Sequence, residues 1–204
     1  MTALCLAMLL GAPGHTYVAL GDSFTAGTGA SPAASFPSQL AARWKAPVVN
    51  LGVNGFTTDD LIAIELPRLP ELHATFATLA IGANDIVRGA DPEAYRRNLK
   101  VILAALARVG LSGPRLLVLP QPLWSHSPAA ADFGSPTDLD AKIAQFNRIL
   151  AEETALAGAR FLDLSALMKR EAEAHSIADD GLHPSAAAYL EWARAIAAAL
   201  PQQP

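Results

Sequence analysis

VALGDSFTAG, residues 18–27, runs through a short apolar segment to a glycine and continues at once with an aspartate and a serine. A buried strand that stops at a glycine and turns over a polar residue presents that side chain at the strand's carboxyl end. Ser23 is therefore a candidate nucleophile. The G-x-S-x-G elbow of many serine hydrolases is not what stands here, so Ser23 has to be judged by what else the chain brings to it.

Working outward, short apolar runs alternate with longer amphipathic ones, and that alternation predicts an α/β fold with helices on both faces of a parallel sheet. The expected strands are residues 17–20, 47–50, 78–81, 115–119 and 160–162. Tyr95, Leu99, Ile102 and Leu106 recur at helical spacing, as do Leu139, Ile143, Phe146 and Leu150, so each set marks one buried helix face. The last helix is expected to open at Pro184, with Tyr189, Trp192, Ile196 and Leu200 as its core stripe. Residues 120–136, PQPLWSHSPAAADFGSP, carry four prolines and no period, and a loop that long is usually functional or mobile.

In open parallel sheets ligands bind beyond the carboxyl ends of the strands, the rim on which Ser23 lies. NLGVNGFTTDD follows the second strand there, with Gly52 and Gly55 allowing a tight turn and a helix starting from Thr57. IGANDIVRG follows the third and sets Asn84 at the same edge.

Composition narrows the chemistry. The 204 residues are 51% hydrophobic and 17% charged, enough apolar material for one core, with a formal net charge of −4 and no basic run to hold a nucleic acid. Cys5 is the only cysteine, and the five histidines form no local zinc signature, so no disulfide framework, metal or cofactor is expected. ALCLAMLL, residues 3–10, has the length of a signal-peptide core and is too short to span a bilayer. Residues 1–16 are read as a signal peptide or apolar extension and 17–204 as a single domain, which implies a periplasmic or secreted protein. The alternative is a cytoplasmic one whose first segment lies against the core.

A serine nucleophile needs a base, a group that holds the base, and donors for the oxyanion. His15 precedes the first strand, at the wrong end for the rim, while His73 and His175 read as surface helix or its edge. His126, in the long loop, competes as a pocket residue. His183, in DDGLHPS, stands three residues after Asp180 across a glycine, a span over which a carboxylate turns back onto an imidazole N–H. Asp179 is a neighbouring competitor; Asp163 reads as the cap of a helix beginning near Ser165.

Taken in order, Gly-Asp-Ser, a glycine after the second strand, Gly-x-Asn-Asp and Asp-x-x-His before a terminal helix resemble the GDSL hydrolases, also named SGNH for Ser, Gly, Asn and His. The resemblance runs from Val18 to the last helix. It implies a three-layer α/β/α flavodoxin-like fold with a five-stranded parallel sheet, and hydrolysis of esters or thioesters through an acyl-enzyme. Carried onto this chain, it makes Ser23 the nucleophile and first oxyanion donor. Gly55, with Gly52 as the alternative registration, becomes the second donor and Asn84 the third; His183 becomes the base and Asp180 its orienter. Asp22 is then expected to brace the serine turn and Asp85 to support its loop. Phe24, Phe56, Trp124 and Phe133, with His126, are the candidates for lining the substrate site. The expected substrate is a small acyl ester of short to medium chain, with thioesterase or lysophospholipase activity alongside. The other readings are acyl transfer to, or deacetylation of, a sugar, and a non-catalytic small-ligand module.

Overall fold

The protein is described by a computed structural model covering residues 16–173 and 176–200. Cys5, His15 and the apolar segment before it, and His175, lie outside the described residues.

In chain order the elements are β1 (Tyr17–Gly21), α1 (Ser23–Ala26), α2 (Phe36–Trp44), β2 (Val48–Asn50), α3 (Thr58–Asp60), α4 (Leu69–Leu72), β3 (Phe76–Ala80) and α5 (Ala83–Val87). They continue with α6 (Pro92–Arg108), β4 (Leu116–Val118), α7 (Pro136–Leu156), β5 (Arg160–Phe161), α8 (Ser165–Glu173) and α9 (Ala186–Ala199). All the strand pairings are parallel and the sheet order is β2-β1-β3-β4-β5. The chain therefore winds outward in opposite directions from the centre. Right-handed crossovers then set α2 on one face and α6 and α7 on the other. α9 packs against α2, and α6 against α7, which completes three layers in the flavodoxin-like order.

The two central strands, YVALG and FATLA, are buried along their whole length, as strands covered on both faces must be. The Tyr17 hydroxyl and Thr78 Oγ1, 2.7 Å apart, satisfy each other between these two strands. The predicted apolar stripes of α6, α7 and α9 are all buried, and each such side chain contributes about 1.5–3 kcal/mol on leaving water.

Some boundaries differ from expectation. β3 starts two residues earlier than residue 78, because Phe76 pairs with Tyr17, and it ends at Ala80. Thr57 is the cap of α3 and not its first residue: its side chain accepts the Asp60 N–H while Asp60 accepts the Thr57 N–H. Pro184 does not open the last helix. It forms an isolated antiparallel bridge with Ile177, and Ser185 caps the helix that follows. The loop of residues 120–136 folds into two tight turns, Trp124–His126 and Pro128–Asp132, which bury Trp124.

Candidate active site

β1 and β3 flank the point where the strand order reverses, and the residues following both meet there. Gly21 ends β1 at φ +149°, and a Cβ on it would stand 2.0 Å from the Ala80 carbonyl oxygen, so only glycine fits between the strands. Asp22 then caps α1, its Oδ1 accepting the Phe24 N–H at 3.0 Å, as expected of a residue bracing the turn. Ser23, the first residue of α1, is 7% exposed.

His183 reaches Ser23 from the opposite end of the chain. The Ile177–Pro184 bridge, with the Ala178 N–H on the His183 carbonyl at 2.8 Å, fixes the bend that carries His183 just ahead of α9. Its Nε2 lies 2.8 Å from Ser23 Oγ, and its Nδ1 lies 2.7 Å from Asp180 Oδ2. Asp180 Oδ1 also accepts the backbone N–H groups of Leu182 and His183, both at 2.9 Å, so the carboxylate is fixed by the turn it begins. Burial opposes ionisation of Asp180, but these N–H donors and the imidazole outweigh it and hold the carboxyl below its ordinary range. Asp179 is exposed in the turn, and Asp163 caps α8 through the Ser165 N–H at 2.8 Å, as its sequence reading anticipated.

The segments after β2 and β3 are tied together. Asp85 is buried and accepts the N–H and hydroxyl of Thr58 at 3.0 and 2.5 Å. Asn84 donates one amide hydrogen to the Phe56 carbonyl at 3.0 Å, and none of the described residues accepts its second N–H. The two candidate glycines differ: the Gly52 N–H is donated to Asn50 Oδ1 at 3.0 Å, whereas none of the described residues accepts the Gly55 N–H. Gly55 turns at φ +81° in the open, with only the Arg88 guanidinium within 4 Å of where a Cβ would stand.

Two carboxyls lie near Ser23. Glu65 closes a π-helical turn, Leu61–Glu65, and accepts the Gly21 N–H at 3.1 Å; its Oε1 and Asp22 Oδ2 are buried with no hydrogen-bond partner among the described residues. Burial pushes Asp22 up to about 7, with the nearby Asp85 charge adding to it against the Phe24 N–H. Burial pushes Glu65 up to about 9, with the Asp22 charge adding to it against the Gly21 N–H.

A cleft with about 350 Å³ of empty space opens on Ser23 and Asn84, walled by Phe24, Ala83, Val87, Trp124, Phe133 and Leu182. Phe24, Trp124 and Phe133 are thus where the sequence reading put them. Phe56 is not: its ring packs on the core and only its carbonyl turns toward Asn84. His126 does not line this cleft either; its Nε2 stands 3.2 Å from Asp140 Oδ2 on α7, while Asp140 Oδ1 accepts the Ser125 hydroxyl. His73 follows α4, and the pocket it lines shares no residue with the cleft at Ser23. Ala83, Val87 and Leu182 were not singled out from the sequence, though each lies within three residues of Asn84 or His183. Among the described residues no group of three or more His, Cys, Asp or Glu side chains is placed to hold a metal.

The GDSL-like Lipase/Acylhydrolase family matches residues 19–190. A curated relative, thioesterase 1/protease 1/lysophospholipase L1 of Escherichia coli K12, is 34% identical over 103 residues, which is 49% of this chain and 49% of that protein. The chain thus matches about half the length of that relative. Among solved structures, TesA superposes with a TM-score of 0.74 at 22% identity, covering 91% of this chain and 97% of that one. The acetylxylan esterase Axe2 of Geobacillus stearothermophilus superposes with a TM-score of 0.71 at 19% identity, covering 96% and 98%. The order of the motifs, the sheet they hang from and the extent of the family match lead to one assignment: the chain belongs to the GDSL-like lipase/acylhydrolase family.

Proposed function

We propose that the protein is a serine esterase that hydrolyses short to medium acyl esters through an acyl-enzyme intermediate. The observation that carries this reading is the continuous hydrogen-bonded path from Asp180 through His183 to Ser23, at 2.7 and 2.8 Å. With the Nδ1 proton facing Asp180, Nε2 accepts the Ser23 hydroxyl proton as Oγ attacks the ester carbonyl carbon. The carbonyl π electrons move onto its oxygen. The Ser23 and Gly55 N–H groups and the free Asn84 N–H stabilise that oxyanion, each such donor being worth about 2.7–4 kcal/mol in the transition state. Collapse breaks the bond to the alcohol, which leaves with the proton from His183. Water, deprotonated by the same Nε2, attacks the acyl-serine and releases the carboxylic acid.

The apolar walls of the cleft and their lack of a cationic side chain favour an uncharged acyl group. Its open mouth and small size favour soluble esters, thioesters included, over long-chain lipid. Among the described residues no helix is long and apolar enough to cross a membrane.

The test is turnover of p-nitrophenyl esters of graded acyl length by the wild type, Ser23→Ala and His183→Ala, with circular dichroism as the fold control. Activity peaking at short to medium chains and lost in both variants is expected. Turnover that survives in Ser23→Ala, or that rises steadily to long insoluble chains, contradicts the proposal.

A further inference from the structure

Arg88 lies beside the oxyanion donors, and none of the catalytic steps above uses it. It stands just after α5, four residues beyond Asn84, with its N–H on the Asn84 carbonyl at 2.9 Å. Its Nη2 donates to the Gly55 carbonyl oxygen at 2.7 Å, and its Nη1 stands 3.5 Å from Asp60 Oδ2. The Gly55 turn has little else to hold it. Val53 and Asn54 are exposed, glycine is the least constrained of residues, and no packed side chain lies against Gly55. Hydrogen bonds do the work of packing: the Val53 N–H on the Gly21 carbonyl at 3.2 Å, the Phe56 N–H on the Val53 carbonyl at 3.2 Å, Thr28 Oγ1 on Asn54 Oδ1 at 2.6 Å, Asn84 on the Phe56 carbonyl, and Arg88 on the Gly55 carbonyl. Of these only the Arg88 bond is charge-assisted, the stronger kind.

α5 thus carries Asn84, and Arg88, the residue that caps its end, grips the Gly55 peptide. We propose that Arg88 is a positioning residue of the oxyanion hole, fixing the Gly55 turn so that the Gly55 N–H and the Asn84 amide keep one separation and one direction. The inference rests on the assignment of Gly55 and Asn84 as donors in the proposed esterase. An ordinary surface ion pair is the competing description, and the geometry argues against it. The Arg88 side chain is 59% exposed and its contact with Asp60 is long, which makes the pair worth little to stability. The shorter, directional bond goes to a backbone carbonyl at the site.

The competing descriptions part in kinetics. Arg88→Met is expected to lower kcat about tenfold, with KM within about twofold and the melting temperature nearly unchanged, because misplacing a donor weakens the transition state more than the bound ester. Arg88→Lys, which keeps a cationic donor, should recover part of the loss. In an Asn84→Ala background, where the hole is already broken, Arg88→Met should cost less than it does alone. Equal kcat in wild type, Arg88→Lys and Arg88→Met overturns the proposal, as does a loss confined to KM. If Arg88→Met melts early, kcat of Arg88→Lys relative to wild type decides between the same alternatives. Wild type and Ser23→Ala are assayed alongside. An inactive wild type or an active Ser23→Ala removes the esterase reading and this inference with it, whereas intact controls with unaffected Arg88 variants remove this inference alone.

Discussion

Glu65 Oε2 accepts the Gly21 N–H at 3.1 Å, so a buried carboxyl holds the end of β1 two residues before Ser23. Burial raises Glu65 from 4.5 to about 9, and the folded protein keeps it neutral at neutral pH while the unfolded chain ionises it. The contribution to stability is therefore complete below the unfolded value and is lost as pH rises toward the folded one; Asp22, raised to about 7, behaves alike over a lower window. Glu65→Gln keeps an oxygen for the Gly21 N–H and removes the titration. Thermal unfolding from about pH 5 to about pH 9 should show the wild type losing stability faster than the variant, with the gap widening upward. Parallel curves contradict this.

Asn84→Ala removes the amide proposed as an oxyanion donor together with the tether on the Phe56 carbonyl. The expected result is a fall in kcat of roughly 100- to 1,000-fold with a smaller change in KM. Near-normal kcat in a folded variant rules out the donor role.

Asp85→Ala leaves the buried Thr58 N–H without an acceptor and unties the turn after β2 from the one after β3. A loss of about 2–3 kcal/mol is expected in urea denaturation, together with reduced turnover. Asp85 thus differs from Asn84, whose replacement should change turnover far more than stability.

Phe133 stands at the cleft's mouth, 40% exposed, its ring edge-on to Trp124 at 5.6 Å. Phe133→Ala should raise KM for medium-chain esters about three- to tenfold while leaving short-chain esters and kcat nearly unchanged, since only the longer chain covers that ring. Equal effects across chain length contradict this use of the rim.

Much of this was written locally. The strand positions, the apolar stripes of α6, α7 and α9, and the Ser23, Asn84, Asp180 and His183 motifs each follow from residues close in sequence. What escaped depends on contacts between distant segments. Pro184 prefers a first helical turn, yet pairing with Ile177 wins and leaves His183 in the bend that faces Ser23. His126 sits in a loop whose fold turns it to Asp140, beyond the reach of a spacing argument. Gly52 and Gly55 look equivalent until the Asn50 side chain claims the N–H of one. Glu65 left a weak trace, a lone acid in LIAIELP, and Arg88 a fainter one, four residues after Asn84 in the same short segment.

The most direct test of a serine nucleophile at residue 23 is stoichiometric labelling with a p-nitrophenyl alkylphosphonate, followed by peptide mapping by mass spectrometry. One phosphonyl group on Ser23, with activity lost in proportion and no label on Ser23→Ala, is the expected result. A label on another residue, or turnover undiminished once Ser23 is fully modified, would contradict the proposed mechanism at its first step.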